Sequence, residues 1–270
     1  MPDAAEVTPS TPPLVTIIVV TFNAEAHLAS TLDSIAAQGD GTLARIEVLI
    51  QDGASTDQTL AIAARYPFTR IRSKPDSGIY DAMNAAAHAS RGRWLHFLNA
   101  GDTFAGPESL AKLLAVLGVT TKPWLVCAAQ NLHGGVGSPA RIPSLPHRWM
   151  PHVLGLQPHC HQACWFDREL FLAMGGYQLE YDGASDFDLI VKFGAVSAPV
   201  TLSGQPLIDY LGGGVSERAA ARTPELLTRI RRDRLGLDGP LARALTAAVT
   251  AINRARIGTG RLRDRLRNVR

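Results

Sequence analysis

The chain has 270 residues and a formal net charge of +3; 46% of its residues are hydrophobic and 19% are charged. This composition is that of an ordinary globular protein with a sizeable core, and no apolar run is long enough to span a bilayer. The three cysteines, an odd number, give no disulfide framework, so we expect a reduced, cytoplasmic protein.

Charge is distributed unevenly along the sequence. From Val215 to Arg270 there are 14 arginines, no lysine and five acidic residues, a net charge of +9 that leaves −6 for residues 1–214. Residues 1–13 hold acids, prolines and threonines where a signal peptide needs a basic start and an apolar centre, so we expect a flexible leader. The pattern predicts an acidic body followed by a basic helical extension over residues 213–270.

The first half of the chain alternates between strand-like and helix-like segments. Residues 14–21, LVTIIVVT, are typical of a strand buried on both faces. Leu28, Leu32 and Ile35 then recur at helical spacing. Later segments predict strands at RIEVLIQDG, TRIRSKP and RWLHFLN, and helices at STDQTLAIAARYP with Ser55 or Thr56 as cap, DSGIYDAMNAAAHASRG and PESLAKLLAVLG. This alternation favours an α/β fold, with a doubly wound, mostly parallel sheet flanked by helices.

The second half is less regular. Residues 130–160 are rich in Gly, Pro and His, and we interpret them as an irregular loop region over the site. Beyond it the pattern predicts a strand and a helix in QACWFDRELFLAMGGY, a helix in ASDFDLIVKFGAV and a terminal hairpin in VTLSGQPLIDYLGGGVS. Two basic helices are expected at PELLTRIRRDRLGL and PLARALTAAVTAINRARI.

Each predicted strand of the first half ends in polar residues. These ends are Thr21-Phe22-Asn23, Gln51-Asp52-Gly53, Lys74-Pro75-Asp76 and Asn99-Ala100-Gly101-Asp102. Ligands of doubly wound sheets bind at the carboxyl ends of the strands, and gathered carboxylates suit a divalent cation. Single Asp residues at such positions are also ordinary turn residues, but their repetition favours a polar ligand.

These motifs carry a resemblance to a known family. VTIIVVTFNAEAHLASTLDSI, VLIQDGASTDQT, KPDSGIYDAMNAA and WLHFLNAGDTF resemble the nucleotide-sugar half of the family 2 glycosyltransferases, which have the GT-A fold, and most closely the bacterial polysaccharide-assembly members. HQACWFDRELFLAMGGYQLEYDGASDFDLIVKF is similar to the acceptor half. The resemblance covers roughly residues 14–195 and implies a domain at 14–212, divided into halves at 14–118 and 119–212.

The resemblance implies a hexosyltransferase-type enzyme that moves a sugar from a nucleoside diphosphate sugar to a hydroxyl, with inversion. The acceptor would be a glycan or a polyprenyl-diphosphate-linked glycan, and Mg²⁺ or Mn²⁺ would assist. The nucleotide-sugar side would consist of Thr21, Phe22, Asn23, Asp52, Asp76, Gly78, Asp81 and Asn99. Within this set, Phe22 would pack on the nucleobase and Asp52 would accept a hydrogen bond from a base N–H. Asp102 would be the metal ligand, since N-A-G-D keeps only the last acid of the family's metal motif.

The acceptor side is carried by other residues. Asp186 matches the family's catalytic base, which takes the proton of the acceptor hydroxyl. Asp186 and Asp188 form a literal D-x-D, but residues two apart on a helix point about 200° from each other, so they cannot hold one ion together. Asp188 orients neighbours or caps the helix. His161 and Gln162 match a loop that faces the acceptor or the diphosphate.

Other motifs of the sequence suggest further interpretations. Cys160, His161 and Cys164 suggest zinc, but a structural site needs a second ligand pair. GGVGSPA has dinucleotide-fingerprint spacing without the following helix. A sugar nucleotidyltransferase would need a glycine-rich phosphate loop after the first strand, which this sequence lacks. A non-catalytic nucleotide-sugar or glycan-binding protein is favoured if N-A-G-D holds no ion. The basic extension either contacts an anionic membrane surface, as a peripheral protein would, or packs on the body; it has no aromatic residues for nucleic-acid stacking.

Overall fold

The computed structural model describes residues 12–132, 140–212, 223–245, 247–248 and 251. Its strands are β1 Val15–Thr21, β2 Ile46–Asp52, β3 Thr69–Ser73, β4 Trp94–Phe97, β5 Thr103–Phe104, β6 Trp124–Cys127, β7 Ala129–Asn131, β8 Ala140–Ile142, β9 Cys164–Asp167, β10 Val200–Leu202 and β11 Ile208–Tyr210. Its α-helices are α1 Leu28–Ala36, α2 Asp40–Leu43, α3 Thr59–Ala63, α4 Ile79–Ala89, α5 Ser109–Leu117, α6 Trp149–Val153, α7 Arg168–Ala173, α8 Ser185–Val196 and α9 Thr223–Leu235. Short 3₁₀ helices span His161–Ala163 and Leu179–Tyr181.

A seven-stranded sheet in the order β10-β6-β9-β4-β1-β2-β3 forms the centre of the protein. Strand β1 is buried along its whole length and pairs in parallel with β2 and β4. This burial confirms the predicted strand. A strand covered on both faces carries a near-continuous apolar run, which is the pattern of residues 14–21. The register places Thr21 opposite Asp52, so the polar ends of β1 and β2 lie side by side.

One strand of the main sheet runs against the others. Strand β9 is antiparallel to both β4 and β6, which agrees with a mostly parallel sheet. A second sheet of four short strands has the order β5-β11-β7-β8. The predicted hairpin over residues 200–216 is wrong, because β10 pairs with β6 in the first sheet whereas β11 pairs with β5 and β7 in the second. The chain changes sheets between β10 and β11, just as it does between β6 and β7.

The helices flank the main sheet as expected. In α1 the predicted face is buried, with Leu28, Leu32 and Ile35 in the core. Helix α3 begins only at Thr59, so the predicted cap at Ser55 or Thr56 is wrong. The hydroxyl of Ser55 donates instead to Asp52, and the Asp57 carboxylate accepts from the Thr59 backbone N–H. The region 130–160, expected to be irregular, contains β8 and α6.

The start of the basic extension packs on the body. Ile230 of α9 is buried in a cluster with Tyr181, Phe187 and Val191. Residues 240–245 are helical, with Ala242 buried and Leu241 73% exposed. Within the described ranges, no helix combines the length and apolar character needed to cross a bilayer. Membrane contact stays a prediction. The predictions for residues 1–11, for most of GGVGSPA and for residues 213–222 and 252–270 lie outside the described residues.

Candidate active site

Asp52, at the end of β2, holds three chain segments together. Its side chain is fully buried and accepts hydrogen bonds from the Thr21 hydroxyl at 2.9 Å, the Ser73 hydroxyl at 2.7 Å, and the Ser55 backbone N–H at 2.9 Å and hydroxyl at 2.5 Å. A carboxylate offers about four acceptor sites, so protein donors already fill them. Burial alone would raise the pKa of Asp52, but the hydrogen bonds from Ser55, Ser73 and Thr21 outweigh it and hold the pKa below its ordinary value.

This arrangement predicts a stability effect. Asp52→Asn places an amide N–H₂ against hydroxyl and N–H donors, and we expect a loss of about 3 kcal/mol or more in the free energy of unfolding. For a chain of this size that lowers the melting temperature by about 6–12 °C. Because the folded-state pKa is depressed, the deficit is complete at neutral pH and shrinks as the pH falls below about 4, through the folded-state pKa.

Thermal unfolding monitored from pH 7 down to pH 3, as approximate limits around the ordinary aspartate pKa, checks this prediction. The exposed Asp40 provides the matched control, since Asp40→Asn should change stability by no more than about 0.5 kcal/mol. Equal stability of the Asp52→Asn and Asp40→Asn proteins at pH 7 would contradict the structural role of Asp52.

A crevice with an aromatic wall lies beside Asp52. Phe22 follows β1 and is 67% exposed. A Cβ atom added to Gly53 would lie 2.6 Å from Asp76 Oδ2 and 3.4 Å from Phe22 Cδ2, so the Asp76 carboxylate occupies the space that a side chain at position 53 would fill. Phe22, Gly53 and Asp76 therefore meet at one point, with a flat apolar face next to a carboxylate.

The backbone around the crevice is strained. Asn23 and Ala54 have φ angles of 48° and 66°, which residues with a Cβ rarely adopt. Asn23 holds its loop by accepting the Thr56 N–H at 3.0 Å on Oδ1 and by donating its own N–H to Ser55. Such conformations persist where the surroundings fix them, and they concentrate at binding sites.

The turn before α4 continues the crevice. Asp76 Oδ1 accepts the N–H of Gly78, whose φ of 133° favours glycine. Asp81 Oδ2 accepts both the N–H and the hydroxyl of Ser77, and these hydrogen bonds lower the pKa of Asp81. Asp81 therefore closes the first turn of α4 and fixes the loop that presents Asp76.

Asn99 and Asp102 form the turn after β4. Asp102 is 4% exposed, its Oδ1 accepts the Leu211 N–H at 2.9 Å, and burial raises its pKa to about 7. In the part of the chain that the structure describes, Asp102 Oδ2 and Asn99 Oδ1 are buried without a hydrogen-bond partner. Two unpaired hard oxygens three residues apart fit a divalent cation such as Mg²⁺ or Mn²⁺; Asp102 as the ligand of that cation stays a prediction.

The remaining predicted residues line a second part of the site. Asn99, His161, Gln162 and Asp186 all face one cavity of about 320 Å³. Its other lining residues are Ile79, Tyr80, Met83, Ile142, Gln157, Pro158, His159, Cys160, Tyr210 and Gly212. Helix α4 links the two parts, because Asp76 and Gly78 precede it in the crevice and its first residues line the cavity.

Asp186 lies in the first turn of α8 and is half-buried. Its Oδ2 accepts from Gln157 Nε2 at 3.0 Å, and its Oδ1 lies 3.5 Å from the Tyr80 hydroxyl. These two partners were not found from the sequence, because they come from distant segments with no motif of their own. Together they aim the carboxylate into the cavity.

Asp188, the other half of the D-x-D, points elsewhere. It is fully buried and pairs with Arg234 of α9 at 2.6 Å, with Lys192 at 3.9 Å. The expected divergence of the two carboxylates along α8 is present: one faces the cavity and the other binds α9. Asp188 therefore anchors the basic extension to the body.

His161 is a buried member of the cavity wall. Its Nε2 lies 2.5 Å from the Tyr177 hydroxyl, and burial lowers its pKa, partly opposed by the Asp186 charge. The neighbouring thiols do not resemble metal ligands, since burial raises the pKa of Cys160 to about 12 and raises the pKa of Cys164 well above its ordinary value. The zinc interpretation of Cys160, His161 and Cys164 gains no support from this geometry.

A larger cavity, of about 720 Å³, lies at the amino ends of the parallel strands. It is lined by residues that include Leu14, Arg45, Arg93 and Asp167, and by none of the predicted site residues. Ligands of doubly wound sheets bind at the carboxyl ends, so we place the active site in the smaller cavity and the adjoining crevice.

Known proteins share this sequence and fold. The family model "Glycosyl transferase family 2" matches residues 16–152. The chain belongs to glycosyl transferase family 2. A PGL/p-HBAD biosynthesis glycosyltransferase of Mycobacterium tuberculosis is 34% identical over 199 residues, covering 70% of this chain and 73% of the relative. A second M. tuberculosis protein, an uncharacterized glycosyltransferase, is 34% identical over 196 residues, with 70% and 72% covered.

Solved structures have the same fold as this glycosyltransferase. Residues 1–349 of TarS from S. aureus, in complex with UDP-GlcNAc, match with a TM-score of 0.66 and 20% identity, over 88% of this chain and 70% of that chain. The mannosyltransferase PcManGT from Pyrobaculum calidifontis, in complex with GDP-Man and Mn²⁺, matches with a TM-score of 0.61 and 17% identity, over 91% and 72%. The predicted family and the GT-A fold are confirmed, and the nucleotidyltransferase and non-catalytic interpretations are set aside.

Proposed function

We propose that this glycosyltransferase moves one sugar from a nucleoside diphosphate sugar to a hydroxyl of a glycan or lipid-linked glycan, in bacterial polysaccharide assembly. The observation that carries the proposal is the position of Asp186, a half-buried carboxylate in a cavity that adjoins the crevice of Phe22 and Asp76. The donor complexes of TarS and PcManGT, which have this fold, support the donor class.

The crevice suits the nucleoside. The exposed ring of Phe22 offers a face on which a nucleobase stacks, an interaction worth about 1–3 kcal/mol. Asp76 Oδ2, beside that ring, is placed to accept a hydrogen bond from a base N–H or a ribose hydroxyl. Asp52 was the expected acceptor, but its oxygens are filled by protein donors. We therefore assign base or ribose recognition to Asp76 and loop organisation to Asp52.

The cavity suits the transfer step. Asp186 takes the proton of the acceptor hydroxyl. The hydroxyl oxygen then bonds to the anomeric carbon of the donor, and the bond from that carbon to the diphosphate oxygen breaks. Among the described residues that line the cavity, Asp186 is the only carboxylate. A double displacement would need a second carboxylate as nucleophile, so a single displacement with inversion fits these residues better.

We assign binding of the diphosphate to the turn after β4, residues 99–102. Asp102 Oδ2 and Asn99 Oδ1 would hold a divalent cation, which supplies positive charge to offset the charge of the departing diphosphate. The Leu211 N–H bond to Asp102 Oδ1 leaves Oδ2 as the oxygen available to the ion.

A donor panel tests the proposed function. We expect UDP, GDP or dTDP sugars to raise the melting temperature in the presence of Mn²⁺, because a ligand stabilises the state that binds it. Asp76→Asn removes one hydrogen bond to a charged group, a loss of about tenfold or more in donor affinity, whereas Asp40→Asn retains wild-type affinity. A folded protein whose melting temperature responds to no nucleotide sugar would contradict the proposal.

A further inference from the structure

Three histidines lie together at the wall of the cavity, which one of them, His159, lines. They are His147, His152 of α6 and His159, and one ring nitrogen from each lies within 4.8 Å of the others. His152 and His159 are 0% and 1% exposed. None of them has a place in the sugar-transfer reaction proposed above.

Only two of the six ring nitrogens of this cluster have a hydrogen-bond partner in the described part of the chain. His147 Nδ1 and His159 Nε2 lie 3.1 Å apart. In the described part of the chain, His147 Nε2, His159 Nδ1 and both nitrogens of His152 are buried without a hydrogen-bond partner. Native proteins leave few buried polar atoms unpaired, so four in one cluster need an explanation.

Aromatic rings surround the cluster. The indole of Trp124 contacts His147 and His159 edge-on, with ring centroids 5.5 and 5.4 Å apart, and Phe187 lies 5.6 Å from His152. Burial lowers the pKa of His152 to about 3 and that of His159 to about 4. The rings are therefore neutral, which is the form in which imidazole binds a metal.

The fold also makes room for the cluster. Gly194 of α8 abuts the ring of His147, and an added Cβ there would lie 2.4 Å from both Cε1 and Nε2 of that ring. Three nitrogens bound to one tetrahedral Zn²⁺ at its usual bond length are about 3.3 Å apart. One pair of nitrogens already lies at 3.1 Å, and one nitrogen from each of the three rings lies within 4.8 Å of the others.

We infer that His147, His152 and His159 form a metal site for a late first-row divalent cation such as Zn²⁺. Three imidazoles suit such ions, whereas the oxygens of Asn99 and Asp102 suit Mg²⁺ or Mn²⁺. The ion would join His152 of α6 and His159 to His147. The ring of His147 packs against Gly194 of α8. Gln157, two residues before His159, donates to Asp186, so on the proposed function the ion stabilises the acceptor side of the cavity.

Cobalt binding tests the site. Chain purified without a histidine tag and stripped with a chelator is titrated with Co²⁺, in an Asp102→Asn background so that the oxygen site does not contribute. We expect one equivalent to bind, with the visible d–d absorption of tetrahedral cobalt, and Zn²⁺ to displace it. Zn²⁺ at 100-fold above its dissociation constant should raise the melting temperature by about 5–10 °C.

Two variants and one control decide the result. His152→Phe removes the most deeply buried ligand, and His147→Asn removes the half-buried one with less risk to folding; circular dichroism of the metal-free proteins reports on the fold. We expect both to lose the cobalt spectrum and the Zn²⁺ shift, and His88→Ala, at an exposed histidine of α4, to keep both. Absence of stoichiometric binding by the wild-type cluster, or undiminished binding by folded His147→Asn, would overturn the inference. Neither readout needs nucleotide sugar, so it succeeds or fails independently of the proposed function.

Discussion

Replacing Asp186 with asparagine is expected to lower the rate of sugar transfer by about 10²–10⁴-fold, the usual contribution of a general base. Donor affinity should stay within about twofold of wild type, because the proposed nucleoside and diphosphate contacts belong to other residues. The amide keeps the size of the carboxylate and its hydrogen bond from Gln157, but it does not accept the acceptor proton. The loss therefore falls on kcat.

Rates with saturating donor and acceptor, together with donor titration, separate the two effects. Asp182, an exposed carboxylate just before α8, provides the control, and Asp182→Asn should retain wild-type rates. If Asp186→Asn loses donor affinity as much as turnover, the residue binds donor and is not the base. Unchanged transfer would remove it from the mechanism altogether.

Replacing Asp102 with asparagine has the second largest expected effect, a loss of about 10²–10³-fold in kcat/KM. The buried carboxylate is the only charged group at the turn after β4, and a neutral amide holds a divalent cation poorly. On the proposed function, a cation held by Asp102 would offset charge on the diphosphate, so both donor affinity and turnover should fall, and the stimulation by Mn²⁺ or Mg²⁺ should disappear.

The measurement is the dependence of donor affinity and turnover on Mn²⁺ concentration. Glu108, an exposed carboxylate at the start of α5, gives the control, and Glu108→Gln should follow the wild-type curve. Metal stimulation that persists in Asp102→Asn, or wild-type turnover that is indifferent to a chelator, would show that Asp102 does not hold the ion.

The sequence predicted the donor half of the fold well, for physical reasons. Strands such as Val15–Thr21 are buried on both faces and read as unbroken apolar runs, and α1 shows the spacing of a helix that packs on one face. The polar residues at the strand ends followed from the rule that parallel strands bring their carboxyl ends to one edge. These local and periodic signals carried the positions of Asp52, Asp76 and Asp102.

Long-range pairing was less accessible. The predicted hairpin of β10 and β11 failed because the two strands find partners far away in sequence, β6 in one sheet and β5 and β7 in the other. The hydrogen-bond and ion-pair partners of single side chains are also far apart in sequence. Nothing in the sequence indicates that Gln157 reaches Asp186, or that Asp188 pairs with Arg234.

Two features show how burial changes the meaning of a motif. Asp52 stands in a motif typical of nucleotide contact, yet its oxygens are occupied by Thr21, Ser55 and Ser73. The histidines at 147, 152 and 159 lie in a region that is rich in Gly and Pro and shows little periodicity, so the sequence alone does not predict that they converge. Their convergence depends on α6 and the loop after it.

The most direct test of the proposed donor site is a structure of the Asp186→Asn variant with an intact nucleotide sugar and Mn²⁺. This variant should bind the donor without consuming it. We predict the base stacked on Phe22 within hydrogen-bond reach of Asp76, the diphosphate directed at Asp102, and the anomeric carbon facing residue 186 across the cavity. A donor bound at the amino ends of the strands, or an anomeric carbon turned away from residue 186, would contradict it.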